Sequence, residues 1–339
     1  MTNLFLLPIV ALAIQGGAHS TPKQAHPKAT PQASRPTPKD VIGQVQMLGD
    51  AGKIGTTYSL GPKNSQLNFI LDSAAFSVRS SMAEDVIVAK KDEKLLTLTF
   101  SAANPLKTDQ QLSETSFQFT VVSPDGKNAE YDGFLYHPER KTRFSSTLKP
   151  AQKVSAVVVI PIHAKGPVDK LIVKRMGGDV LRYDLRKEVK PLAGSFAESG
   201  DVAAEEVRTN FGTAFDFGQV ELTVDGFAKT ESGVGSYEPS DEFDIWAATI
   251  SVRNPNLTPI KYGWSVLMAS ATDVSGEADE WIQDLFSVAN ARSLDRVSIA
   301  PGESLKGRLA FRVPRGSKPK RITLVDGTGS DRSVTIEMP

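Results

Sequence analysis

Residues 305–313, Leu-Lys-Gly-Arg-Leu-Ala-Phe-Arg-Val, alternate apolar with mostly polar positions. That two-residue period belongs to a strand with one face on a core. Phe117–Val121 repeats the pattern and runs into Ser123-Pro-Asp-Gly126, turn chemistry with a glycine free to adopt a left-handed conformation. Pro301-Gly302, Lys318-Pro319 and Asp326-Gly327 then punctuate the chain at strand-length intervals. Many short strands separated by turns predict an all-β sandwich rather than alternating β-α units. One stretch departs from this. Over residues 277–290, Ile282, Leu285, Phe286 and Ala289 fall at i, i+3, i+4 and i+7 behind acidic Glu277, Asp279 and Glu280, which predicts a short helix.

The pattern occurs twice. At an offset of 150, Asn104-Pro105 answers to Asn254-Pro255, Gly126 to Gly276, Glu130-Tyr131 to Glu280-Trp281, and Leu135-Tyr136 to Leu285-Phe286. One inserted residue brings Pro150 opposite Pro301. The ladder Val154, Ala156, Val158, Ile160, Ile162 then matches Leu305, Gly307, Leu309, Phe311, Val313, and upstream Phe76 answers to Phe227. So few gaps over so long a stretch indicate an internal duplication. The expected organisation is two tandem immunoglobulin-like sandwiches, residues 41–187 and 209–339, joined by a linker over 188–208. Within that linker Ala193–Gly200 is flexible, and Asp201–Arg208 forms a helical turn or two.

Ahead of the first repeat, residues 4–14 form an apolar run of eleven followed by Gly16, Gly17, Ala18 and Ser20. Such a run is too short to span a bilayer, which takes about 20 residues, and suits the central region of a signal peptide. Residues 1–19 therefore read as an export signal, although Met1-Thr2-Asn3 supply no basic side chain. Residues 20–40 contain five prolines, four basic residues and no large apolar side chain before Asp40, the composition of an extended spacer. No transmembrane segment is expected after processing.

At residues 299–314, Ile-Ala-Pro-Gly-Glu-Ser-Leu-Lys-Gly-Arg-Leu-Ala-Phe-Arg-Val-Pro, followed by Lys320-Arg-Ile-Thr-Leu-Val325, the chain resembles a known family. It is similar to the penultimate hairpin of the secreted bacterial immunoglobulin-like domains grouped as "immunoprotective extracellular" domains. Ser251-Val-Arg-Asn-Pro255 resembles that family's mid-domain strand. The first repeat departs at Pro150-Ala151, which replaces the Pro-Gly turn, and at Pro161, which interrupts the strand. The resemblance implies fold and export; it carries no catalytic residue and no ligand.

Composition narrows the chemistry. Thirty-nine basic against 39 acidic residues leave no net charge to gather nucleic acid, and the basic run Arg312, Arg315, Lys318, Lys320, Arg321 reads as a solvated loop. The absence of cysteine excludes disulfides, thiol catalysis and Cys-ligated zinc. No Gly-x-Ser-x-Gly, Walker, His-Glu-x-x-His or dinucleotide motif is present, and no cofactor or metal is expected. His137 and His163 are the histidines within the repeats. Asp273, Glu277, Asp279 and Glu280 lack the spacing of a calcium loop, and helix-dipole stabilisation is the simpler reading. Tyr131 and Trp281, equivalent aromatics, are either core plugs or a docking surface. In Tyr262–Ser270, pairing Leu267 and Ala269 with the core phenylalanines Phe117 and Phe119 puts Tyr262, Trp264, Val266 and Met268 on the opposite, exposed face.

These observations favour a non-enzymatic exported protein of the cell envelope or extracellular space that binds an unidentified protein or polysaccharide. The alternatives are a hydrolase or metal-dependent enzyme with a loop-end site near His137, and a structural spacer.

Overall fold

Two-residue periodicity is realised throughout the computed structural model, which describes residues 52–338 except Asp132 and Asp179. The expected signal segment 1–19, the proline-rich spacer 20–40 and the start of the first repeat lie outside the described residues. The chain is all-β. Its first half contains β1 (Tyr58–Leu60), β2 (Leu67–Ser77), β3 (Arg79–Ser81), β4 (Val86–Val88), β5 (Glu93–Ala103), β6 (Gln110–Leu112), β7 (Gln118–Val122), β8 (Asn128–Tyr131), β9 (Ser146–Leu148), β10 (Lys153–His163), β11 (Lys170–Lys174), β12 (Val180–Asp184) and β13 (Val189–Lys190). A sheet of order β1-β2-β5-β10 faces one of order β12-β11-β7-β8. Phe69 and Phe100 stack at 5.2 Å, with Phe117 and Phe119 against them from the opposite sheet. Pro161 does not interrupt β10: it lies opposite Leu95 on a ladder that continues to His163.

The second half contains β14 (Glu206–Thr209), β15 (Phe215–Phe217), β16 (Val220–Thr230), β17 (Phe243–Arg253), β18 (Ile260–Tyr262), β19 (Leu267–Asp273), β20 (Ala278–Ser287), β21 (Val297–Ile299), β22 (Ser304–Pro314), β23 (Pro319–Asp326) and β24 (Ser333–Glu337). The strands run β14-β24-β23-β19-β20-β22-β17-β16-β15 in one folded sheet. The fold is possible because β20 pairs with β19 at its start and with β22 thereafter.

That strand replaces the helix expected over 277–290. Its register shifts between Trp281 and Leu285, and its apolar residues serve two cores. Leu285 enters the main core, whereas Ile282 and Phe286 join Val234, Ile245, Ala247 and Ala310 on the outer side of the sheet. A bulged strand buried on both faces imitates a helical stripe. The first half repeats the device: Leu135 lies in the main core, and Tyr136 packs outside with Met82, Leu95, Val157 and Val159 beneath the β3–β4 hairpin. Arg143 clamps that hairpin through bonds of 2.6–2.8 Å to Asp85, whose carboxyl it holds below the usual range.

The repeated Asn-Pro pair marks a shared clasp. The Asn104 amide donates to the carbonyls of Thr108 and Leu148, both at 2.8 Å, while its Oδ1 accepts from the Leu106 N–H. Asn254 donates to Thr258 and Ile299 and accepts from Asn256 in the same way. Both asparagines are buried. A bulge in β2 at Asp72 and one in β16 at Asp225 each turn an aspartate toward a serine, Ser101 and Ser251 respectively, at 2.8 Å. These registers shift one sequence correspondence: Phe227 answers to Ala74, not to Phe76. Ala74 faces Leu98 and Phe227 faces Ala248, so a small–large pair is exchanged for a large–small one and the core volume is kept. At the sheet end, Lys94 lies 4.1 Å over the Phe76 ring; the second half has a 2.8 Å ion pair, Lys229–Asp244, at the corresponding ladder positions.

The connector is ordered rather than a flexible hinge. Leu192 N–H donates to Gly200, Ala204 to Phe196 and Ala203 to Ala164, and Leu192, Phe196 and Ala203 join the main apolar core. The expected helical turn over 201–208 is instead β14, parallel to β24, because Val207 needs that register to reach the core; a single 3₁₀ turn occupies Gly194–Phe196. Across the halves, Arg332 is 3% exposed and donates to the carbonyls of Ala89, Lys90, Glu93 and Ala204 at 2.5–3.2 Å. Lys91 N–H returns a bond to Ser330, Arg79 pairs with Asp216, and Ser81 with Asn256. Replacing Arg332 by Met removes the guanidinium donor from all four carbonyls, of which the Lys90 carbonyl keeps the Glu93 N–H, at a cost of about 3 kcal/mol. Urea unfolding of Arg332→Met is expected to show this loss and to split one transition into two.

Candidate functional site

Three places bring together the residues singled out by sequence. The first is the outer face of β19, β23 and β24. Registers place Met268 beside Val325 and Ser333, then Ser270 beside Thr323 and Thr335, then Thr272 beside Arg321 and Glu337. Met268 is 52% and Trp264 36% exposed, and Val266 is half-buried. Tyr262 is not part of this face: it is 2% exposed, and burial pushes its hydroxyl far up. The run 262–270 is not one strand. Tyr262 ends β18 opposite Val297, and a 3₁₀ turn over Trp264–Val266 resets the alternation before β19. Gly263 permits the turn, since a Cβ there would meet the Leu294 carbonyl and Arg296 nitrogen at 2.7 Å.

The other paired aromatics belong to packing. Tyr131 sits edge-on to Phe119 at 6.2 Å and donates its hydroxyl to the Phe134 carbonyl; Trp281 is half-buried against the main core.

The second place is the turn at His137. A cleft of about 460 Å³ lies between this turn and the start of β10, lined by His137, Arg140, Phe144, Ser146, Lys153 and Ser155 among others. His137 Nδ1 accepts the backbone N–H groups of Glu139 and Arg140, both at 3.2 Å. In the neutral ring this fixes the hydrogen on Nε2, which is then a donor. A serine-activating histidine needs the reverse arrangement, with Nε2 accepting and Nδ1–H held by a carboxylate. His163 likewise uses Nδ1 to accept the Lys165 N–H, at 3.3 Å. Sequence reading found His137 but missed its neighbours, because Ser155 and Arg140 come together only through the β10 ladder and the turn.

The third place is the acidic turn after β19. Asp273 Oδ1 accepts from Ser275 N–H, Ser275 Oγ and Glu277 N–H, and these bonds hold its carboxyl below the usual range. It is a turn former, not a helix cap. No group of three or more acidic or histidine side chains among the described residues is arranged to hold a metal ion. Asp279 is different in kind. It faces the core opposite Ala271, its Oδ2 is buried without a partner, and burial, aided by Asp273, pushes it up to about 6.

Residues 209–334 match the family described as a domain of unknown function, DUF4352. The match covers the second half, less than half of the chain. None of the curated proteins matches. Similar solved structures include an uncharacterised β-sandwich protein from Clostridium difficile 630, at 14% identity and a TM-score of 0.32 over 39% of this chain and 93% of that one. The secreted protein MPT63 from Mycobacterium tuberculosis shares 18% identity with a TM-score of 0.30, covering 39% of this chain and 98% of its own. The yjhA protein from Bacillus subtilis shares 18% with a TM-score of 0.29, covering 38% and 99%. No helix among the described residues is long and apolar enough to cross a membrane.

Asp279 gives a measurable consequence. Between pH 4 and 6 the folded state holds a proton that the unfolded chain releases, so this residue's contribution to stability falls as pH rises through that window. Asp279→Asn is expected to raise stability at pH 7.5 by about 1–3 kcal/mol and to flatten the profile between pH 4 and 7, read from denaturation midpoints.

Proposed function

We propose that this chain is an exported, non-enzymatic binding protein of the cell envelope or extracellular space, built from two tandem immunoglobulin-like domains that arose by duplication. Support for duplication comes from the two asparagine clasps and the two bulge aspartates, which make the same bonds at the same ladder positions. Support for export comes from the apolar run 4–14 and the proline-rich stretch that follows.

The observation that carries the binding reading is the Trp264–Met268 surface. Trp264, in the 3₁₀ turn, and Met268, just after it in β19, are both exposed, and the next row on the Met268 face is the half-buried pair Ser270 and Thr323. Two large apolar side chains kept in water beside half-buried hydroxyls are the anatomy of a contact surface. With no net charge on the chain, a partner is held there by local shape and short-range bonds, whether it is protein or polysaccharide.

Co-sedimentation with isolated envelope fractions tests this reading. Trp264→Ser combined with Met268→Ser is expected to cut the retained fraction about tenfold, the effect of losing an aromatic anchor, with an unchanged melting curve. Equal retention removes this surface from the proposal. Fusing residues 1–40 to a reporter active only after export tests localisation separately.

A further inference from the structure

We propose that the His137 cleft is a binding site for an acidic carbohydrate, independent of the Trp264–Met268 surface. The internal comparison between the halves carries the argument. In the first half the turn closes by bonds from Lys141 N–H to the His137 carbonyl and from His137 N–H to Thr142, and Nδ1 caps it. The second half builds the same turn: Ala291 N–H donates to the Ser287 carbonyl, Ser287 N–H to Arg292, and the Ser287 hydroxyl caps Ala289 at 3.2 Å. Lys141 and Ala291 both occupy the left-handed region, at φ 57° and 53°. A hydroxyl therefore suffices to close this turn. The imidazole adds a second nitrogen, Nε2–H, that the fold does not require.

The neighbours differ as well. Phe144 and Leu294 hold equivalent places, each donating its N–H to the leucine carbonyl of the repeated pair, Leu135 or Leu285. Offsets of 150 and 151 likewise match Arg140 with Asn290 and Ser155 with Lys306. Around the turn the first half thus places Phe144, His137, Arg140 and Ser155 where the second has Leu294, Ser287, Asn290 and Lys306. His137 and Phe144 meet edge to face at 6.0 Å, leaving ring surface for the apolar side of a pyranose.

The floor is organised from behind. The β2 bulge turns Asp72 toward Ser101, which is 3% exposed; Ser101 donates to Asp72 at 2.8 Å and meets Ser155 Oγ at 3.2 Å. Ser101 gives its hydrogen to the carboxylate, so its lone pairs accept from Ser155, whose own lone pairs face the cleft as acceptors for a ligand hydroxyl. Arg140 and Lys153 outnumber the single acid Glu139 on the lining. A sugar carboxylate answers those cations, and ring hydroxyls answer Ser155 and Nε2–H. The volume of about 460 Å³ falls within the ~300–1,000 Å³ range of small-molecule sites.

Calorimetric titration of the whole chain with a galacturonic acid tetrasaccharide, and with maltotetraose as the neutral control, tests this. Saturable binding of the uronate, at least about tenfold tighter than of the neutral sugar, is expected. His137→Ser, which copies the cap of the second half and so keeps the fold, and Arg140→Ala should each weaken it about five- to tenfold. The Trp264→Ser, Met268→Ser double variant should bind as the parent does. Absence of saturable uronate binding, equal binding of the neutral sugar, or affinity unchanged in both cleft variants would overturn the assignment. Because the double variant reads the other surface, failure here and failure of the envelope-binding reading are separable.

Discussion

A chain that crosses from one sheet to the other at the end of a sandwich carries backbone carbonyls into a region water does not reach. Each must find a donor there or cost the fold about 1–3 kcal/mol. Asn104 and Asn254 answer that constraint. One side-chain amide ties the loop after the long central strand to the short ladder β6–β9 or β18–β21, and its oxygen closes the turn that begins the loop. Apolar side chains cannot do this work, and longer amides would overshoot. The strands before and after the clasp, β5 with β10 and β17 with β22, are eleven residues each and carry the longest ladders of their halves. What varies between the halves is hung on this common frame.

That frame was legible because strand alternation and turn residues are local. The Asn-Pro repeat, the Gly126 and Gly276 turns and the β10 and β22 ladders all fall where the periodicity puts them. Pattern and structure part where one strand serves two environments. Ile282, Leu285 and Phe286 are all buried, but on opposite faces of a bulged strand, and a one-dimensional pattern cannot separate that from a helical stripe. The Tyr262–Ser270 run failed for the reverse reason: a 3₁₀ turn after Gly263 breaks the alternation without any proline to announce it. Leu267 still faces the core and Met268 solvent, because both lie after the break.

The candidate sites were less legible than the fold. Histidine count directed attention to His137, but only the bonds at Nδ1 distinguish a turn cap with a spare donor from a general base. Ser101 and Asp72 carry no motif. They matter because a bulge turns an aspartate across the sheet, and bulge positions are set by pairing, not by composition. The glycines and serines of the connector suggest a loose segment, yet Leu192, Phe196 and Ala203 within it are buried.

The Arg332 contact also imposes an order in time. Its carbonyl acceptors at Ala89, Lys90 and Glu93 precede it by 239–243 residues. During synthesis, the first half is complete long before the guanidinium that fastens it exists. Whatever structure it holds before then lacks this bond. Mutual docking of the halves is the closing event. Until then the carbonyls of residues 89, 90 and 93 lack the buried donor that the finished molecule supplies.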